Sequence, residues 1–193
     1  DPDTNLKLRY AIDKARAVSM PRDNIERAVK RGTGELEGAQ MEELVYEGFG
    51  PSGTALICDI LTDNRNRTSG EVRKIFDRGG GNMGGQGSVA YLFDRKGVFI
   101  IPAAGVTEES LMNVVAEAGA EDLQPVGDNF EVLTDVTAFA GVQAALEKAG
   151  IKPERAEIEQ VPKATVDVDV ETGKKVVRLT EALDDHDDVQ NVY

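Results

Sequence analysis

The sequence predicts a mixed α+β fold, with short helices first and then two strand-and-helix units, one interrupting the other. Three observations predict it. The first 32 residues hold helical stripes and no strand. From Leu44 onward, apolar runs of strand length alternate with helical stripes. Ala-Gly pairs at 118–119 and 149–150 lie 31 positions apart, as two copies of one strand–helix–strand unit would place them.

Leu8, Ala11, Ile12 and Ala15 recur at the helical i, i+3, i+4, i+7 spacing. A second helix starts near Pro21, has Ile25, Ala28 and Val29 on one face, and ends at Gly32 after Lys30 and Arg31, whose charges suit a helix C-terminus. Two short helices leave apolar faces uncovered, so this helical domain is expected to be incomplete. Gly32–Gly38 reads as a linker. Leu44–Phe49 and Thr54–Leu61 then form a hairpin-like pair around the turn Gly50-Pro-Ser-Gly53.

Next comes a helix with Val72, Ile75 and Phe76 on one face. Thr68 and Glu71 have capping-box spacing at its start, and Gly79-Gly80-Gly81 stops it. Ser88–Phe93 reads as a strand, and Asp94–Gly97 as a turn into a strand at Val98–Ile101. Thr107 opens a helix carrying Leu111, Val114, Val115 and Ala118. Strands to Val126 and over Phe130–Leu133 flank a Gly127-Asp128-Asn129 turn. A helix with Phe139, Val142, Leu146 and Ala149 follows, then the alternating run Ala156–Val161. This is βαββαβ, the ferredoxin-like order. Thr165–Val168, a helix with Val176, Leu179 and Leu183, and Val189–Tyr193 add one more β-α-β. Joined to the β-α-β around residues 54–93, it makes a second ferredoxin-like set. The predicted division is therefore 1–37 (helical remnant and linker), 38–97 with 162–193 (discontinuous α+β domain), and 98–161 (inserted domain).

Charge separates the halves. The chain carries 22 basic and 35 acidic side chains, net −13; residues 1–97 hold 15 of each, and residues 98–193 hold 7 basic and 20 acidic. Phosphate should avoid the second half, so any nucleic-acid contact is assigned to the first. No apolar run is long enough to span a bilayer. The single cysteine, Cys58, lies in an apolar strand, which fits a reducing, cytoplasmic setting.

The richest stretch is Thr62–Gly87. Arg65, Arg67, Arg73, Lys74 and Arg78 surround a helix start, where guanidinium groups and free backbone N–H groups both suit phosphate. A solvated face with local pairs, such as Glu71 with Arg67, Lys74 or Arg78, stands equally open. Arg22, Arg27, Lys30 and Arg31 give the N-terminal segment a second basic face. Gly79, Gly81 and Gly84 match G-x-G-x-x-G but follow a helix and open a strand, the wrong order for a dinucleotide site. Gly79, Gly80, Gly81, Asn82, Gly84 and Gly85 are read as a flexible contact loop, since glycine permits close backbone approach. Asp184–Asp188 lacks the spacing of a calcium loop and reads as a fraying helix end, with no metal assigned. His186 is the only histidine, and no nucleophile–base pair can be assembled. No enzyme activity and no cofactor are expected; a carboxylate enzyme or other small-molecule binder is the distant alternative.

Met20–Gly32, Tyr46-Glu-Gly-Phe-Gly-Pro-Ser-Gly53, Thr62–Thr68, Gly79–Gly84, Gly87–Phe93 and Asp188–Tyr193 together resemble the YebC/PmpR family, which includes the mitochondrial translational activator of cytochrome c oxidase subunit I. The resemblance spans essentially the whole chain. It implies three domains, one helical and two α+β, and control of gene expression without catalysis. Two targets follow from it: promoter DNA, or ribosomal RNA on a ribosome that is helped through proline runs. The family pattern opens with a basic segment bearing a His-Ser-Lys-Trp motif that this sequence lacks, so the chain is expected to be part of a longer protein.

Overall fold

The computed structural model describes residues 5–34 and 41–193. The expected linker therefore lies largely outside the described residues. Helix α1 (Leu6–Ala17) begins at Asn5, whose side chain accepts the Leu8 N–H at 3.0 Å. Helix α2 (Arg22–Gly32) follows Pro21, and Ile25 is its buried anchor.

Strands β1 (Glu42–Phe49) and β2 (Ala55–Thr62) pair in antiparallel register from Glu42↔Thr62 to Phe49↔Ala55, and a turn at Pro51–Gly53 joins them. Helix α3 (Arg65–Arg78) packs on this hairpin. Short strand β3 (Asn82–Met83) adds to β1, and β8 (Val189–Val192) adds to β2, giving the order β3-β1-β2-β8. Helix α6 (Val170–Asp184) lies beside α3 on the same face. Alternation along β2 decides which side chains serve which face. Leu56, Cys58 and Ile60 meet Val72 and Phe76 of α3 and Leu179 and Leu183 of α6, while Ile57 meets Val89 and Phe93 on the reverse.

The second sheet is supplied wholly by the chain between β3 and α6. Its elements are β4 (Phe93–Pro102), α4 (Glu108–Val115), β5 (Ala120–Val126), β6 (Asn129–Asp135), α5 (Phe139–Lys148) and β7 (Arg155–Pro162). All its pairs are antiparallel, in the order β5-β6-β4-β7. Phe99, Ile101, Val132, Leu111, Val115, Phe139, Val142 and Leu146 form its core against the two helices. Phe99 and Phe139 stack with centroids 4.6 Å apart.

Three local expectations are corrected. Asp94–Gly97 is not a turn: Lys96 and Gly97 are held from both sides, by Asp135 and Thr134 on β6 and by Glu159 and Ile158 on β7. Gly97 is a glycine because a Cβ there would meet the Phe139 ring and, at 2.7 Å, the Thr134 hydroxyl. Ser88–Phe93 is not a strand; it turns over Ala90–Leu92 and enters β4 only at Phe93. Thr165–Val168 forms no strand either. It leads into α6, where Asp169 caps by accepting the Thr172 N–H at 2.7 Å, and Val166 and Val168 stay exposed. Alternation favoured a strand there, but no neighbouring strand pairs with it.

Candidate nucleic-acid interface

Helix α3 is capped by Asn64, whose side chain accepts the Arg67 N–H at 3.1 Å. The expected Thr68–Glu71 capping box is not formed, because Thr68 lies a turn inside the helix and is fully buried. Thr68, Val72 and Phe76 bind the helix to the sheet. Arg65, Arg73, Lys74 and Arg78 are consequently turned to solvent. Among the described residues, none of these four has an ion pair or a side-chain hydrogen bond to another side chain. They form a band of free cations.

Arg67 is different. Its Nη2 donates to Asp188 Oδ2 at 2.8 Å and lies 3.2 Å from Asp63, while Nε lies 3.8 Å from Glu71. The sequence grouped Arg67 with the contact cations; the structure makes it part of an internal joint. The Asp188 carboxylate also accepts from Thr68 Oγ1 at 2.5 Å and Thr62 Oγ1 at 3.2 Å. Burial works to raise its pKa, but the bonds from Thr68, Arg67 and Thr62 outweigh it and hold the group below its ordinary value. The segment after α6 is thus no fraying end. His186 Nδ1 accepts the Asp188 N–H at 3.1 Å, and its Nε2 lies 3.1 Å from Glu71 Oε2. The bonds from Arg67 to Asp188 and from His186 to Glu71 were not legible beforehand, since each joins residues more than a hundred positions apart.

The glycine segment, expected to be a flexible loop, carries a defined set of bonds. Gly80 takes the left-handed conformation (φ 77°) just past the helix end. Gly81 N–H donates to the Phe76 carbonyl at 2.9 Å, Asn82 and Met83 pair with Phe49 and Gly48, and Gly84 N–H reaches the Glu47 carbonyl at 2.8 Å. The buried Glu47 side chain then accepts three backbone N–H groups, from Gly87 at 2.6 Å and from Val89 and Ala90 at 2.8 Å each. Desolvation raises its pKa, and these three donors more than reverse that, leaving it below its ordinary value. Glu47 escaped sequence analysis because a glutamate in a strand normally faces water. Gly80, Asn82 and Gly85 remain exposed beside α3.

The second basic face is on α2. Arg22 pairs with Glu26 at 2.8 Å, whereas Arg27, Lys30 and Arg31 are exposed and unpaired among the described residues. No hydrogen bond or ion pair among the described residues links α2 to α3, so the two faces stand as separate sets. Burial pushes the Cys58 thiol up to about 12, which leaves it no nucleophilic character. Among the described residues no three His, Cys, Asp or Glu side chains are placed to hold a metal ion, and no helix is long and apolar enough to cross a membrane.

Residues 41–193 match the family described as TACO1/YebC second and third domain, and residues 1–35 match the TACO1/YebC protein N-terminal domain. A probable transcriptional regulatory protein of Caldanaerobacter subterraneus subsp. tengcongensis is 52% identical over 194 residues, covering 100% of this chain and 80% of its own length. One of Geobacter sulfurreducens is 50% identical, covering 100% and 78%. The crystal structure of a conserved hypothetical protein from Aquifex aeolicus superposes with a TM-score of 0.91 at 47% identity, over 100% of this chain and 80% of that one.

Proposed function

The chain belongs to the TACO1/YebC family, and from that membership and its free cations we propose that it is a non-enzymatic regulator of gene expression that binds nucleic acid, with DNA as its target. The observation that carries this reading is the band Arg65, Arg73, Lys74 and Arg78, exposed on α3 and, among the described residues, without an ion pair to a carboxylate. Arg27, Lys30 and Arg31 of α2 extend the contact, with Arg22 partly neutralised by Glu26. Within Gly79–Gly85, the exposed Gly80, Asn82 and Gly85 supply a surface that a phosphate backbone can approach closely. On this reading residues 1–37, 38–97 with 162–193, and 98–161 act as three domains in the cytoplasm, the last keeping its acidic surface away from the phosphates.

The charge split favours a second reading, a ribosome-associated translation factor that relieves stalling at proline-rich stretches. The 20 acidic side chains of residues 98–193 would meet basic ribosomal proteins while the cations meet RNA. One pair of measurements separates the two. Regulation through DNA predicts binding to a promoter fragment that survives excess competitor DNA at physiological salt. The ribosomal reading predicts co-sedimentation with ribosomes instead. Exchanging Arg73 and Lys74 for Gln weakens whichever complex forms; unchanged binding by that variant would clear α3 of the role.

A further inference from the structure

We propose that α3 seats a nucleic acid's phosphodiester backbone directly against Gly70, with Arg73 and Lys74 closing on the phosphates, and that the helix reads no bases. This rests on the nucleic-acid reading above and names what that site touches. Gly70 lies inside a 14-residue helix, where only proline is less favourable than glycine. Two internal causes ordinarily account for such a glycine: a left-handed backbone, or another element too close to leave room for a Cβ. Neither operates here. Gly70 is not among the glycines of positive φ, and a Cβ built on it would meet no heavy atom of the described residues within 4 Å. Gly48 and Gly81, by contrast, are each pressed by backbone of a neighbouring segment. Among the described residues nothing gives a reason for Gly70; an approaching surface does.

The neighbours identify that surface. Helical spacing puts Asn66 and Arg67 one turn before Gly70 and Arg73 and Lys74 one turn after it. All are exposed. Arg67 is held by Asp188, while Arg73 and Lys74 are unpaired among the described residues. The result is a bare stretch of helix backbone flanked by two free cations and an amide, which fits a polyanionic strand in close contact. Glu71 and Asp77 share the exposed side of α3. A helix buried in a groove would carry those carboxylates into strongly negative potential, whereas one lying across the backbone leaves them at the rim.

The test uses the full chain with a labelled DNA duplex and an RNA duplex of the same sequence, followed by anisotropy through a salt series. Gly70→Ala is expected to raise Tm by a few degrees, as removal of a helical glycine should, and to weaken binding by roughly tenfold. Gain in stability with loss of binding is the signature; a distorted helix would lose both. Lys74→Gln is expected to lower the salt slope by about one, and Gly70→Ala is expected to weaken binding of a scrambled duplex by the same factor, since this seat touches no bases. Loss on the DNA duplex alone assigns the seat to DNA, loss on the RNA duplex alone assigns it to RNA, and either supports the proposal. Binding by Gly70→Ala equal to wild type, while Arg73→Gln and Lys74→Gln still bind weakly, overturns the seat and leaves the regulator reading standing. No binding of either duplex by wild type overturns both.

Discussion

Arg67 and Asp188 stand 121 positions apart in the chain, yet their side chains meet at 2.8 Å, on the same carboxylate oxygen that Thr62 and Thr68 address. This joint fastens the end of the chain to the start of α3. It also explains why one arginine of a basic stretch is structural while its neighbours are free.

Asp188→Ala is expected to lower stability by about 2–3 kcal/mol, because it strips two buried hydroxyls and a guanidinium of a shared acceptor. Urea denaturation measures it. A loss under about 0.5 kcal/mol would mean that the joint contributes nothing beyond surface pairing.

Acid should act through the same group and through Glu47. Both carboxyls have lowered pKa values in the folded chain, so the unfolded chain binds their protons more readily. The stability they contribute is complete above the ordinary carboxylate range and is lost as pH falls through that range towards the depressed values. Urea midpoints followed from about pH 7 to about pH 3 should therefore fall on the acid side. The fall should be shallower in Asp188→Asn and in Glu47→Gln. Parallel curves for wild type and both variants would contradict the assignment.

Glu47→Gln leaves one good acceptor where three N–H groups converge, and its amide N–H groups face donors. The amides of Gly87, Val89 and Ala90 are expected to exchange with solvent at least about tenfold faster, with β1 and β2 still protected. Hydrogen exchange resolved by residue checks this. Unchanged protection at all three would show that the turn holds itself.

Gly81→Ala should cost about 1–3 kcal/mol, since the new methyl would fall on the Phe49 carbonyl oxygen and 3.1 Å from Gly50 Cα, both backbone atoms that cannot step aside. Gly85→Ala, which meets no heavy atom of the described residues within 4 Å, should stay within about 0.5 kcal/mol of wild type. Paired thermal melts decide it; equal losses at the two positions would argue that the segment's glycines matter for flexibility alone.

Much of this was legible because it is local. The Leu111–Val115 and Phe139–Leu146 stripes, the Thr107 cap and the Gly127-Asp128 turn each announce an element through contacts within a few residues. Four strands and two helices in that order then leave few ways to cover one sheet face. The misplaced elements share a cause. Asp94–Gly97 has turn composition but is held straight by β7 along its length and by β6 from Lys96 on, and Thr165–Val168 has strand composition but no strand pairs with it among the described residues.

By itself, then, the sequence determined the α+β class, the βαββαβ order of residues 98–161, the charge split and the basic stretch around residues 65–78. Only the tertiary structure decided which of those cations are free. It withdrew Arg67 into a bond with Asp188, left Arg73 and Lys74 open beside Gly70, and tied the glycine segment to Glu47. Periodicity records which face of an element avoids water. It carries no record of which distant residue will satisfy a charge, because that partner is chosen only when the sheet brings β8 beside β2.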